Sequence, residues 1–186
     1  MSPHDTLLLK RVLYDTRYSE HGKLHGFGVG HLFLALAEKY NGGIVDAIRA
    51  LAQALDVVGP VFPATVEKTT LCAELLDKTI LRGEHVVDHP PHGSAVISRV
   101  FFDPPVSAYF RACDYIRGAD VIVIGPGSLY TSVLPVLMPE GITEAISESS
   151  APIVFVSNNG VHSDECGTVR LSEVVKIVSN FLPRLM

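Results

Sequence analysis

The sequence has no tryptophan and only three cysteines, Cys72, Cys113 and Cys166, in 186 residues. An odd number of widely spaced thiols, with no CxxC pair, excludes a disulfide-stapled scaffold and a cysteine-rich zinc module. Reduced thiols are expected. Basic charge is also short. Fifteen Lys and Arg stand against twenty Asp and Glu, giving a net charge of −5. That balance argues against a general nucleic-acid or anionic-membrane binder. No apolar run reaches the length needed to span a bilayer. The opening Met-Ser-Pro-His-Asp-Thr carries neither a basic segment nor an apolar core of the secretory type, so a cytoplasmic location is expected. There is no internal repeat, no low-complexity tract and no evident linker. With 47% hydrophobic residues and a mean hydropathy of +0.30, the chain has ample material for a packed core.

Residues 119–132, Ala-Asp-Val-Ile-Val-Ile-Gly-Pro-Gly-Ser-Leu-Tyr-Thr-Ser, organise the rest. Val121–Ile124 form an uninterrupted apolar run, the pattern of a strand covered on both faces. Gly125 and Gly127 permit a sharp turn with Pro126 fixed between them. Ser128, Tyr130, Thr131 and Ser132 then crowd four hydroxyls onto the turn and the start of a helix. Backbone N–H groups and hydroxyls in that setting suit a phosphate. The alternative is a tight strand-to-helix turn with no ligand.

The remaining elements follow from periodicity and punctuation. A first helix is expected from Ser2 to about Tyr18, then a Gly-punctuated loop over 19–30. Helices are expected over 31–40, stopped by Asn41-Gly42-Gly43, and over 44–55. Val57–Phe62 should be extended. Val66–Leu76 and Thr79–Glu84 should form a β-hairpin turned at Asp77-Lys78. His85–Gly93 reads as loop and Ala95–Asp103 as a strand. Helices are expected over 106–118, 132–138, 141–147 and 172–182. Pro152–Ser157 is a second fully apolar strand, ending in Asn158-Asn159-Gly160. Two apolar strands linked by helices make a βαβ unit. The expected fold is α/β: a three-layer, mainly parallel Rossmann-like sheet with helices on both faces and a β-hairpin extension. The chain is expected to form one domain, 1–186, with residues 57–103 as a β-rich extension within it.

Ligands of such sheets sit beyond the carboxyl ends of the strands, where both 125–132 and 157–160 lie. Ser128, Thr131 and Ser132, with the backbone of Gly125, Gly127 and Leu129, are candidate phosphate ligands. Tyr130 fits base stacking or donation to a phosphate oxygen, or else a core or interface position. Asn158 and Asn159 fit either hydrogen bonding to a sugar or base edge, or the αL tolerance of a turn. Gly26, Gly28, Gly30 and His31 form a second Gly-rich turn before a helix, open to an anion or simply a loop. His85, Asp88, His89 and His92 invite a metal reading, but Pro90 and Pro91 deny them a common helix and no second cluster exists, so no metal ligand is assigned. Asp120 and Glu140 read as flanking charges. With no G-x-S-x-G and no nucleophile–His–Asp set, no catalytic residue is assigned.

At Gly125–Ser132 the chain resembles the CofD/YvcK-like family, which includes 2-phospho-L-lactate transferase and the gluconeogenesis factors. Its loop is more similar to the YvcK-like branch. The resemblance runs through Gly26–Leu36, Asp46–Ile48, the hairpin, Arg99–Phe101, Ala119-Asp120, Gly141-Ile142 and Glu144–Ile146, covering roughly residues 24–158. It implies a protein that binds a phosphorylated nucleotide or nucleotide sugar, of the UDP-sugar or GDP type, in a regulatory role in carbon metabolism or cell shape. The alternative it implies is a transferase resembling 2-phospho-L-lactate transferase, in which case Mg²⁺ is expected. The family's N-terminal Gly-rich strand and the acidic motifs after it are missing. Its Gly-His-x-x-Gly-Asn pattern reads Gly26-Phe27-Gly28-Val29-Gly30-His31. These departures argue against independent transferase activity and imply the C-terminal part of such a protein: a diverged paralogue, a truncation or a non-catalytic split subunit. A homo-oligomer or a complementary chain is then the expected partner, because an open sheet edge remains.

Overall fold

A computed structural model describes residues 8–9, 11–13, 16–17, 28–91, 95–158 and 171–182. The chain divides into two compact units, Met1–Val66 and Glu67–Met186. The boundary falls inside the stretch expected to be a single β-rich extension: residues 57–66 form no strand and belong to the first unit.

In the first unit, residues 8–9 and 11–13 are helical, and the rest of the expected first helix and the loop over 18–27 lie outside the described residues. Two helices follow, α1 (Val29–Asn41) and α2 (Ile44–Ala54). Gly42 caps α1 at φ 94°, a left-handed conformation that costs a residue with a Cβ. Ala47 of α2 is fully buried, while Asp46 and Arg49 pair at 2.9 Å in solvent. Arg17 makes an antiparallel bridge to Gly28, and the Val29 N–H donates to the Thr16 carbonyl (3.1 Å).

The second unit holds two sheets. The antiparallel one has β1 (Thr70–Leu75) at its centre, flanked by β2 (Ile80–Arg82) and β3 (Ile97–Asp103). The expected hairpin is present, but its first strand begins at Thr70 rather than Val66. Cys72 faces Arg82 and Glu74 faces Ile80, and the Asp77 carboxylate accepts the Thr79 N–H (2.9 Å) to close the turn. Across the other edge Leu71 faces Phe102 and Ala73 faces Val100. The segment expected as loop after the hairpin instead starts with a short helix, α3 (Glu84–Asp88). Gly83 precedes it and Pro90 follows, so Pro limits the helix without preventing it. Val87 of α3 is 1% exposed.

The parallel sheet contains β4 (Ile122–Ile124) and β5 (Ile153–Phe155), in register Ile122↔Ile153, Val123↔Val154 and Ile124↔Phe155. Between them run a π-helical turn, Leu129–Val133, then α5 (Leu134–Leu137) and α6 (Ile142–Glu148). The βαβ unit read from the sequence is therefore formed, and the fold is α/β with a parallel pair plus a small antiparallel sheet. Ahead of β4 lies α4 (Phe110–Arg117), and α7 (Leu171–Phe181) ends the described chain. The core gathers Leu71, Ala73 and Leu75 of β1, Leu129, Tyr130, Val133 and Leu134 after β4, Ile142 and Ile146 of α6, and Val178 of α7. Each fully buried leucine contributes about 1.5–3 kcal/mol. Cys72 and Cys113 are buried free thiols.

The apolar runs of β4 and β5 predict cover on both faces. The described residues cover one. Ile122, Ile124, Ile153 and Phe155 pack on the core, whereas Val123 and Val154 on the other side are 60% and 46% exposed.

Candidate functional site

β4 delivers the chain to Gly125 at its carboxyl end, the position from which parallel sheets bind ligands. Gly125, Pro126 and Gly127 form the turn. A Cβ placed on Gly127 would lie 2.9 Å from the Cβ of Ser132, so only glycine allows the loop to fold back on its own helical start. Ser128 caps that start: its Oγ accepts the Thr131 N–H (3.3 Å). Its carbonyl accepts from both Ser132 (3.0 Å) and Val133 (2.9 Å). The second bond spans five residues and opens a π turn where an ordinary α-helix was expected from Ser132. Such turns cost regular geometry and collect at functional positions.

The loop is held from two sides. The Asn158 amide, beyond the end of β5, donates to the Gly127 carbonyl (2.9 Å). Asn158 thus braces the loop, a role the sequence did not assign to it. Asp88, at the end of α3, meets the loop's hydroxyls: its Oδ1 lies 2.9 Å from Thr131 Oγ1 and 3.4 Å from Ser128 Oγ. Those two hydroxyls are 2.6 Å apart. Asp88 had been singled out only beside three histidines. Its actual partners lie 40 and 43 residues downstream, a distance no local pattern reveals. His89 Nδ1 lies 3.4 Å from its other carboxylate oxygen, and His85 stacks obliquely on His89 with ring centres 5.0 Å apart. His92 lies outside the described residues.

The expected ligand residues divide by exposure. Gly125 and Ser132 are exposed, and Gly127, Ser128 and Thr131 are half-buried at the mouth of the loop. Leu129 and Tyr130 are 4% and 7% exposed, with side chains in the core. Of the roles open to Tyr130, the core position is the one occupied. Asn159 lies outside the described residues. Gly30 and His31 belong to the first unit. There a Cβ on Gly28 would come within 2.7 Å of the Arg17 guanidinium and 3.2 Å of His31 Nδ1, and one on Gly30 within 3.0 Å of the Leu13 carbonyl. These glycines lie close against Leu13, Arg17 and His31. Asp120 and Glu140 are exposed, and the Glu140 backbone bridges to residues 106–108.

The description 2-phospho-L-lactate transferase CofD matches residues 3–183, nearly the whole chain. The chain belongs to the CofD/YvcK family. The gluconeogenesis factor of Listeria innocua is 41% identical over 147 residues, covering 78% of this chain and 45% of that protein. The Bacillus subtilis gluconeogenesis factor is 35% identical over the same length. A crystal structure of a Bacillus halodurans protein superposes with a TM-score of 0.82 at 35% identity, covering 97% of this chain and 56% of that one. The chain thus spans about half the length of the relatives it matches. No helix among the described residues is long and apolar enough to cross a membrane.

Proposed function

We propose that this member of the CofD/YvcK family binds a phosphorylated nucleotide or nucleotide sugar through Gly125–Ser132, and that it acts as a binding or regulatory protein. One observation carries the reading: a Gly-rich turn at the carboxyl end of a parallel strand is braced from outside it, by Asn158 on one side and Asp88 on the other. A turn that served only to reverse the chain needs neither brace nor a π turn. The backbone of Gly125, Gly127 and Leu129 and the hydroxyls of Ser128, Thr131 and Ser132 line the mouth. The names of the relatives, gluconeogenesis factors, support a regulatory role.

A second reading, a transferase resembling 2-phospho-L-lactate transferase, is favoured by the description of the matching family. The names of the relatives, gluconeogenesis factors, and a chain that spans about half of their length make the binding reading the lead.

Calorimetry and thermal shift with UDP-N-acetylglucosamine and GDP test it. A ligand that binds only the folded state raises the melting temperature by mass action. The expected result is a shift for one of them, reduced by Ser128→Ala with Thr131→Ala. No shift at millimolar ligand removes the proposal. Turnover of a phosphate-bearing substrate would transfer the reading to the transferase.

A further inference from the structure

The parallel pair has one face that nothing among the described residues covers. Exposure alternates along both strands. Ile122, Ile124, Ile153 and Phe155 turn to the core. Val121, Val123, Val154 and Val156 turn the other way and are 51%, 60%, 46% and 43% exposed. The ladder reaches both ends of this row: the Ile122 N–H donates to the Pro152 carbonyl (3.0 Å) and the Val156 N–H to the Ile124 carbonyl (2.9 Å). Valine therefore fills one continuous side of the sheet, with no polar residue among it. A sheet face built for water carries polar side chains, whereas a parallel sheet is apolar on both faces because helices lie on each. The outer edges of β4 and β5 also lack a strand partner among the described residues, which leaves their backbone groups open to pairing.

Size and shape narrow what fits there. Neighbouring strands lie about 4.8 Å apart and a helix with its side chains is about 10 Å across, so one amphipathic helix spans both strands and meets all four valines. The patch is on the order of a few hundred Å², short of the roughly 800 Å² a side of a stable dimer. A second copy laid face to face on it gains too little. A chain that also adds a strand to the open edge gains main-chain hydrogen bonds as well. The Bacillus halodurans structure superposes with 97% of this chain, and the match covers 56% of that protein. The family fold thus includes a body of chain that these 186 residues do not match.

We propose that the valine face of β4 and β5 is a docking surface for a separate polypeptide, one that carries the unmatched part of the CofD/YvcK fold and seats an amphipathic helix across Val121, Val123, Val154 and Val156. The proposal does not depend on the loop binding a ligand.

The test co-expresses the full 186-residue chain with the unmatched part of the Bacillus halodurans protein as a separate polypeptide, and follows the pair by size-exclusion chromatography with light scattering. A one-to-one complex is expected, with slower hydrogen exchange over 121–124 and 153–156 than in the chain alone. Val123→Lys with Val154→Lys places unpaired charge on the face and is expected to weaken the complex about tenfold or more. Leu76→Lys, at an exposed residue beside the hairpin turn, is expected to leave it unchanged. An unaltered melting temperature of the double-lysine variant alone separates lost docking from lost fold. Where the lysines unfold the chain, Val123→Thr with Val154→Thr takes their place, with a smaller loss in the same direction. Absence of a complex overturns the proposal, as does a complex that survives the substitutions on the valine face. A dimer of this chain alone that the same lysines abolish also overturns it, and gives the face to a second copy.

Discussion

The two sheets of the second unit invert what their sequences suggest. β1, Thr-Leu-Cys-Ala-Glu-Leu, contains a threonine and a glutamate, yet Leu71, Cys72, Ala73 and Leu75 are all buried. β4 and β5, Ile-Val-Ile and Ile-Val-Phe, contain no polar residue, yet Val123 and Val154 stand in solvent. β1 is buried because it is central: β2 and β3 pair with both its edges, and its side chains reach the common core. Among the described residues β4 and β5 have one another and one packed face. The apolarity of a strand records the cover it calls for. How much cover it receives depends on its neighbours. The half-covered pair is also the one whose carboxyl end carries the candidate site, with the chain spanning about half of its relatives' length.

The most direct way to break this comparison is to substitute on both sides of it. Leu75→Ala, at a residue 1% exposed, is expected to cost about 2–5 kcal/mol in equilibrium unfolding. Val123→Thr, on the open face, is expected to stay within about 0.5 kcal/mol. A cost at Val123 as large as that at Leu75 would mean the face is covered in solution and the comparison fails. Gly127→Ala comes next. Its new methyl must displace Ser132, at about 1–3 kcal/mol, and should weaken ligand binding more than Val123→Thr does. Asn158→Ala removes the donor to the Gly127 carbonyl. It should lower stability by about 1 kcal/mol and loosen the loop, read as faster hydrogen exchange over 125–132.

The smallest effect is acid sensitivity, and it falls outside the parallel pair itself. Glu144 caps α6 by accepting the Gly141 N–H (2.9 Å). Hydrogen bonds from its own backbone N–H, from Thr143 and from Gly141 hold its carboxyl below the usual range. Asp77 is likewise held low, first by the Thr79 N–H at the hairpin turn. A carboxyl whose folded value is depressed adds stability above its unfolded value, about pH 4, and that stability is lost as pH falls through the folded value. Melting temperature should therefore decline on acidification below about pH 4. Glu144→Gln should flatten part of that decline, and an unchanged pH profile would remove the cap from the account.

Much of this was legible from local signals. The helix stop at Gly42, the turn at Asp77-Lys78, the paired apolar strands and the Gly-Pro-Gly-Ser turn each depend on residues adjacent in sequence. The π turn was not legible, because it depends on which of two spacings the Ser128 carbonyl accepts. The helix Glu84–Asp88 was hidden by the prolines just beyond it. The core position of Tyr130 was left open because a tyrosine at a loop suits both burial and ligand contact. The brace from Asn158 and the charge from Asp88 had no local signature at all.

The sequence by itself determined the family, the α/β class, the βαβ order and the place of the candidate loop. Those follow from periodicity, glycine conformations and an ordered motif carried along one stretch of chain. Only the tertiary structure decided which strand is buried, that Tyr130 belongs to the core, and that a carboxylate from α3 sits against the hydroxyls at the mouth of the loop. Burial and charge at a point are sums over neighbours distant in sequence, and the fold chooses those neighbours.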